Sequence, residues 1–211
     1  LLRGALARVV PSTRFMVRGP AADQGIALTF DDGPHPSHTS RLLDALAAAN
    51  IPATFFVIGR EAERYPALIE RIAREGHAIG HHSWTHGEPG LTSAGALLEE
   101  VARCRALLRT LLGREVNRFR PPKGALTPAK LAGLWRAGQQ VVLWSADPRD
   151  YALSDAAPLT AWAAGTVPRG GEIVLLHDNH PHAAEALPAL AAWRSAGRRF
   201  VTLDAWPSAA A

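Results

Sequence analysis

The 211-residue sequence predicts an α/β fold, a single domain in which parallel strands form a barrel and helices carry the chain back around it. Three observations lead there. Short apolar, β-prone runs alternate with longer stretches of helical periodicity over nearly the whole length. About seven such units suit a barrel, and no GxGxxG fingerprint argues for a doubly wound sheet. Polar residues of catalytic type recur where the candidate strands end, and in a parallel barrel those ends share one rim.

The elements follow in order. The opening LLRGALARVV is broken by Arg3 and Arg8 too early for a signal-peptide core, and residues 1–24 read as an N-terminal extension. Because the chain starts at Leu1 rather than at methionine, a segment upstream is expected. IALTF (26–30) is the first strand and TSRLLDALAAAN (39–50) the helix after it. ATFFVI (53–58) precedes a single helix over EAERYPALIERIAREG (61–76), and HAIG (77–80) is the third strand. In TSAGALLEEVARCRALLRTLLG (92–113), Leu97, Leu98, Val101, Cys104, Leu108 and Leu111 recur at three- and four-residue steps, one stripe for a core. NRFR (117–120), QVVLWS (140–145), EIVLLH (172–177) and RFVTL (199–203) complete the strands. TPAKLAGLWRAG (127–138), APLTAWAAG (157–165) and HAAEALPALAAWRSAG (182–197) are the helices between them. Gly76, Gly113, Gly138, Gly165 and Gly197 close helical patterns, and Thr39, Thr92 and Thr127 stand where N-caps belong. The domain is expected over 25–205, with 206–211 as a flexible tail.

A hydrophobic fraction of 47% and a charged fraction of 20% are those of a globular protein. The net charge of +4 comes from scattered basic residues, so no nucleic-acid partner is expected. A lone Cys104 excludes an intrachain disulfide and a thiolate metal cluster. No apolar run reaches transmembrane length. Compartment and oligomeric state stay open, a cell-envelope or secreted location being favoured over the cytoplasm.

The chemistry concentrates in a few motifs. TFDDGP sets Asp31 beside Asp32 at a strand end; alone it reads equally as a solvated turn. If Gly33 and Pro34 bend the chain out of strand geometry, one carboxylate can hold a metal while the other accepts a proton. HSWTH (82–86) spaces His82 and His86 four apart, which on a helical turn puts both rings on one face. With Asp32 they make a His₂Asp set with positions left open, as catalytic zinc requires; alone, the pair is two surface histidines. FRPPKG (119–124) is a stiff turn whose Arg120 can fork onto a carboxylate. His177, ending EIVLLH, is either a histidine satisfied in the core or a proton donor. Asp147 and Asp150 follow the fifth strand. His35, His38, His77, His81, His180 and His182 read as loop, capping or pocket-rim residues.

Taken together, TFDDGP, HSxxH, RPPxG, WSADPRDY and LxH, in this order and over residues 25–203, resemble the polysaccharide deacetylase family, the NodB-homology enzymes of carbohydrate esterase family 4. The resemblance implies a distorted (β/α)7 barrel and hydrolytic removal of acetyl groups from N-acetylglucosamine-containing glycans such as chitin, peptidoglycan or exopolysaccharide. It implies Asp31 as general base, paired with Arg120. It implies Asp32, His82 and His86 as ligands of a divalent metal, zinc foremost, with cobalt or nickel as alternatives. His177 becomes the general acid, oriented by Asp150. Trp144, Tyr151, Leu175 and Pro121 become substrate contacts, with Lys123 supplying a backbone N–H to the oxyanion. Two positions depart from the family: Lys123 stands where many members have tyrosine, and Tyr151 where tryptophan is usual. A lysine at the rim is expected to favour an anionic sugar or phosphate. The competing expectations are a deformylase or other C–N hydrolase on an amino-sugar conjugate, and a non-catalytic carbohydrate-binding relative.

Overall fold

The computed structural model describes residues 2–20 and 22–207. Helix α1 (Leu2–Val9) and strand β1 (Phe15–Met16) precede the expected domain, which opens with β2 (Gly25–Asp31), α2 (His38–Ala48) and β3 (Thr54–Val57). Two short helices follow, α3 (Gly59–Arg64) and α4 (Pro66–Arg74), then β4 (Ala78–His81), α5 (Ala94–Leu112) and β5 (Arg118–Phe119). The second half runs α6 (Pro128–Arg136), β6 (Gln140–Val142), α7 (Ala157–Gly165), β7 (Ile173–His177), α8 (His182–Ala191) and β8 (Arg199–Phe200).

All strand pairings are parallel, in the order β1-β6-β5-β4-β3-β2-β7, with β8 also on β2. The chain beyond β6 then bridges to β7 at Ala146–Val174, which closes the ring. The seam is where the barrel is distorted. The first residues of β2 pair with β8, residues from Ala27 onward pair with β7, and β1 lies against β6. Every residue of β2 is buried, as expected of a strand covered on both sides. Its two faces separate by the two-residue strand period: Ile26, Leu28 and Phe30 pack with Leu42, Leu46 and Leu187 of the helical layer, whereas Ala27 packs with Met16, Phe56, Val142 and Ile173. Thr29 and Asp31 follow Ala27 on that second face, so the pleat itself aims Asp31 into the barrel mouth.

Several boundaries differ from expectation for identifiable reasons. The helix expected over 61–76 is two helices, because Pro66 cannot donate an N–H and pushes Tyr65 out of helical geometry (φ −129°, ψ 56°). Thr127 does cap α6, accepting from the Lys130 N–H at 3.3 Å, but Ser93 rather than Thr92 caps α5. Thr39 lies inside α2 and turns its hydroxyl to Asp178 instead. Gly76, Gly113, Gly138 and Gly197 adopt the left-handed conformation, whereas Gly165 does not. Phe15 and Met16, placed in the extension by the sequence, are buried in the barrel sheet. Of the expected tail, residues 208–211 lie outside the described residues, and Trp206 is 3% exposed, its indole packed with Met16, Ala27 and Leu203.

Candidate active site

The carboxyl ends of β2, β4 and β7 and the segments after β5 and β6 meet around a cavity of ≈ 380 Å³ lined by Asp31, Asp32, His82, His86, Lys123, Trp144, Tyr151, Leu175 and His177. Asp31 and His177 are direct register partners on β2 and β7. The bend that separates the two aspartates occurs at Asp32 itself, whose φ of 77° is left-handed. Gly33 follows because a Cβ there would run into the Asp178 carboxylate.

Asp31 is held from inside the barrel. Arg120, fully buried, donates from Nη1 to Asp31 Oδ1 at 2.7 Å and to Thr29 Oγ1 at 2.8 Å, and from Nη2 to the Leu143 carbonyl at 3.2 Å. Its guanidinium carbon lies 4.1 Å from the Phe56 ring centre, a cation–π contact that lines the buried charge with an aromatic face. Burial raises the Asp31 pKa above the usual carboxylate range, and the charges of Arg120 and His177 oppose it.

Beside it, Asp32 Oδ1 is shielded from solvent and has no hydrogen-bond partner among the described residues. His82 Nε2 lies 3.6 Å and His86 Nε2 3.4 Å from that oxygen. The His82 Nδ1–H donates to the Arg120 carbonyl at 2.6 Å, which fixes the tautomer and leaves Nε2 unprotonated toward Asp32. Burial pushes the His82 pKa down to about 3, with Asp32 opposing, so the ring is neutral and its Nε2 lone pair is available. A shielded carboxylate oxygen left without a donor, facing two imidazole nitrogens, is the donor set of a divalent cation, and these residues fit one.

The two histidines do not sit on a helical turn as the spacing predicts. His82 follows β4, and the chain then reverses through Ser83 (φ 64°) and His86 (φ 56°). Glu100 on α5 holds that reversal, accepting from the Trp84 and Thr85 N–H groups at 3.0 Å each and from Thr85 Oγ1 at 2.7 Å. Burial would raise its pKa, but hydrogen bonds from Thr85, Ser83 and Trp84 outweigh this and keep it below the usual range. The sequence does carry a signal for Glu100: it falls three residues after Leu97 and four before Cys104, a charge set in an apolar stripe.

On the opposite side, His177 Nδ1 lies 2.7 Å from Asp150 Oδ1, and the His177 N–H donates to Asp150 Oδ2 at 2.8 Å. Burial alone would lower the His177 pKa; the hydrogen bond and charge of Asp150, helped by Asp31 and Asp32, raise it to about 9. Its ring is therefore protonated at neutral pH. Tyr151 packs edge-on against it, ring centres 5.3 Å apart.

Not every expected residue converges. Asp147 is exposed and accepts from the Arg149 N–H in a turn. Pro121 lines a separate hollow with Ser83, Glu100 and Lys130 rather than the cavity. The Lys123 ammonium pairs with Glu88, so the rim lysine is partly neutralised. Two residues went unnoticed in the sequence. Asn179 donates to Asp32 Oδ2 at 3.2 Å, and the buried Asp178 accepts from Thr39 at 2.5 Å, burial raising its pKa to about 7.

Residues 18–142 match the polysaccharide deacetylase family. A peptidoglycan-N-acetylglucosamine deacetylase of Bacillus cereus is 35% identical over 88% of this chain and 89% of its own length. A chitooligosaccharide deacetylase of a Bradyrhizobium species is 37% identical over 77% of this chain and 74% of its own. The crystal structure of the Bc1960 peptidoglycan N-acetylglucosamine deacetylase superposes with a TM-score of 0.89 at 28% identity, covering 98% of this chain and 97% of that one. With the barrel, the His₂Asp set and these relatives in agreement, the chain belongs to the polysaccharide deacetylase family, metal-dependent hydrolases that cleave the N-acetyl amide bonds of polysaccharides.

Proposed function

We propose that this chain deacetylates N-acetylglucosamine units of a peptidoglycan- or chitin-type glycan, with zinc held by Asp32, His82 and His86. The observation that carries the reading is the placement of two differently held histidines on either side of Asp31: His82, whose Nδ1 meets the Arg120 carbonyl, at one wall of the cavity, and His177, whose Nδ1 meets the Asp150 carboxylate, at the other. Two nitrogen donors and one oxygen donor with positions left open suit zinc above harder cations. When bound, such an ion supplies Lewis acidity, acidifying water and polarising a carbonyl.

The chain's own residues account for the proton traffic. Arg120 occupies Oδ1 of Asp31, which leaves Oδ2 to take a proton from the attacking water. Because burial raises the Asp31 pKa, it is a stronger base than an exposed aspartate. His177 has its Nδ1 committed to Asp150, so Nε2 is the atom that gives a proton to the departing amine, without which the C–N bond breaks poorly. The backbone N–H of Lys123 is the expected donor to the developing oxyanion, in the role that main-chain groups fill in acyl transfer. Trp144, Tyr151 and Leu175 wall the pocket that receives the acetyl methyl group.

The test is mass spectrometry of zinc-supplied reactions on a panel of chitin oligomers, peptidoglycan fragments, acetylated exopolysaccharide and an N-formyl amino sugar. Acetate release with one acetyl replaced by hydrogen per site is expected. Formate release from an N-formyl sugar in place of acetate, or no product across the panel, would overturn the assignment.

A further inference from the structure

We infer that Asp150, His177 and His180 form a second divalent-cation site, and that filling it switches the enzyme off. The inference rests on the reading of His177 as the proton donor. One donor atom from each of the three residues lies within 4.8 Å of the others. His177 Nδ1 is 2.7 Å from Asp150 Oδ1, and His180 Nε2 is 3.6 Å from Asp150 Oδ2. The donor types, one carboxylate and two imidazoles, are those of the Asp32 cluster across the cavity.

His180 is the residue that makes the cluster more than an acid–histidine couple. Both its ring nitrogens are shielded from solvent, and neither has a hydrogen-bond partner among the described residues. A buried polar atom without a hydrogen bond carries a desolvation penalty, here offset only by the Asp150 carboxylate at longer range. The ring is not loose: it lies 4.4 Å from that of His182 and 6.1 Å from that of His177, centre to centre. Its Nε2 faces the Asp150 carboxylate, so a cation between them would meet a ring nitrogen that no hydrogen bond already occupies. Asp150 is fully buried, which concentrates its charge on whatever sits between the two rings.

The exchange balances simply. One zinc ion enters, the Nδ1 proton of His177 leaves to solvent, and no electron moves. The ring and the carboxylate part slightly to admit bonds of ~2.0–2.2 Å. A ring ligated through Nδ1 retains only the Nε2–H of a neutral imidazole, which does not protonate an amine near pH 7. Zinc at the Asp32 cluster then activates turnover and zinc at the Asp150 cluster stops it.

The experiment adds zinc to protein already carrying one equivalent and follows heat, proton release and turnover, in wild type and in His180→Asn. Wild type should take up a second equivalent, release one proton with it and lose turnover as it binds. The variant should turn over with one equivalent present, and the zinc needed for half-inhibition should rise at least ~10-fold, the low end of what losing a supporting group costs a metal site. Circular dichroism of the variant should match wild type. A wild type that takes no second equivalent, a second equivalent that binds His180→Asn as tightly as wild type, or inhibition unchanged by the substitution would each overturn the site. Absence of acetate release at one equivalent would instead overturn the deacetylase reading, while heat and proton release would still decide whether the second ion binds.

Discussion

The barrel mouth contains the same chemical trio twice, one aspartate with two histidines, and the two copies are in opposite states. In the Asp32 cluster a carboxylate oxygen has no donor, and the buried His82 imidazole is neutral, its pKa pushed down to about 3. In the Asp150 cluster the carboxylate takes both the ring nitrogen and the backbone N–H of His177, whose pKa rises to about 9. Burial acts on both histidines in the same direction, so it cannot be what separates them. The difference lies in which ring nitrogen meets which partner. His82 donates its Nδ1–H to a backbone carbonyl, a neutral acceptor that fixes the ring without calling for a charge. His177 turns its Nδ1 to a carboxylate, which favours the imidazolium. One hydrogen-bond partner therefore decides whether an Asp–His cluster offers a lone pair or a proton.

The largest expected effect breaks the first cluster. His82→Ala removes a ligand nitrogen and leaves Asp32 facing His86 alone, so the protein should lose its metal on gel filtration and its turnover with it, read by elemental analysis and acetate release. Asp31→Asn comes next. It keeps the metal-binding trio intact and removes only the proton acceptor, so metal content should stay at wild-type level while turnover falls ~10²–10⁴-fold, the usual worth of a general base. Metal loss in Asp31→Asn, or full turnover in either variant, would collapse the division of labour between the two adjacent aspartates.

How much of this was legible beforehand differs between the two clusters. Strand and helix periodicity placed β2, β4 and β7 within a residue or two, because those elements are buried and their apolar patterns are strong. The motif residues Asp31, Asp32, His82, His86, Arg120, Asp150 and His177 are all drawn to one mouth. What the sequence hid is the local geometry that brings them together. The spacing of His82 and His86 invited a helical turn, whereas the reversal runs through left-handed Ser83 and His86, with Trp84 and Thr85 between them held by Glu100 on α5. Non-glycine residues with positive φ carry no clear mark in a sequence, since tertiary contacts hold them there. His180 was equally invisible: its relation to Asp150 depends on a turn after β7, and nothing in its own neighbourhood distinguishes it from His182.

A third substitution sharpens the comparison by removing its cause. Asp150→Asn keeps a hydrogen-bond acceptor near His177 and deletes the charge. Turnover needs His177 protonated, so in wild type it should fall as pH rises through about 9. Without Asp150 the burial contribution, which lowers the pKa, is no longer outweighed, and the alkaline limb should move down by ~1–3 pH units, the usual reach of one neighbouring charge. The acid limb, where Asp31 becomes protonated, should stay in place. The same linkage applies to folding. A pKa raised from an ordinary ~6.5 to its folded value contributes stability that is complete below the unfolded pKa. That contribution is lost as pH rises through about 9, and urea unfolding of Asp150→Asn should lack this alkaline decline. An unmoved alkaline limb would mean that another group sets it.

The smallest expected effect lies at the rim, away from both clusters. Lys123 lines the cavity and its left-handed backbone (φ 55°) turns the chain there, while its ammonium reaches away to Glu88. Both partners are more than half exposed, so the pair contributes little to stability and its charge is largely screened. If the contribution of Lys123 to turnover is its main-chain N–H, Lys123→Ala should leave kcat within ~3-fold of wild type, since deleting the side chain leaves the backbone donor in place. The expectation of a preference for anionic sugars fares differently once Glu88 is considered. Removing the lysine exposes a carboxylate at the same rim, so KM for an acidic glycan should rise more in Lys123→Ala than in the Lys123→Ala/Glu88→Gln double variant. Equal KM values in the two variants would show that the pair does not face the substrate.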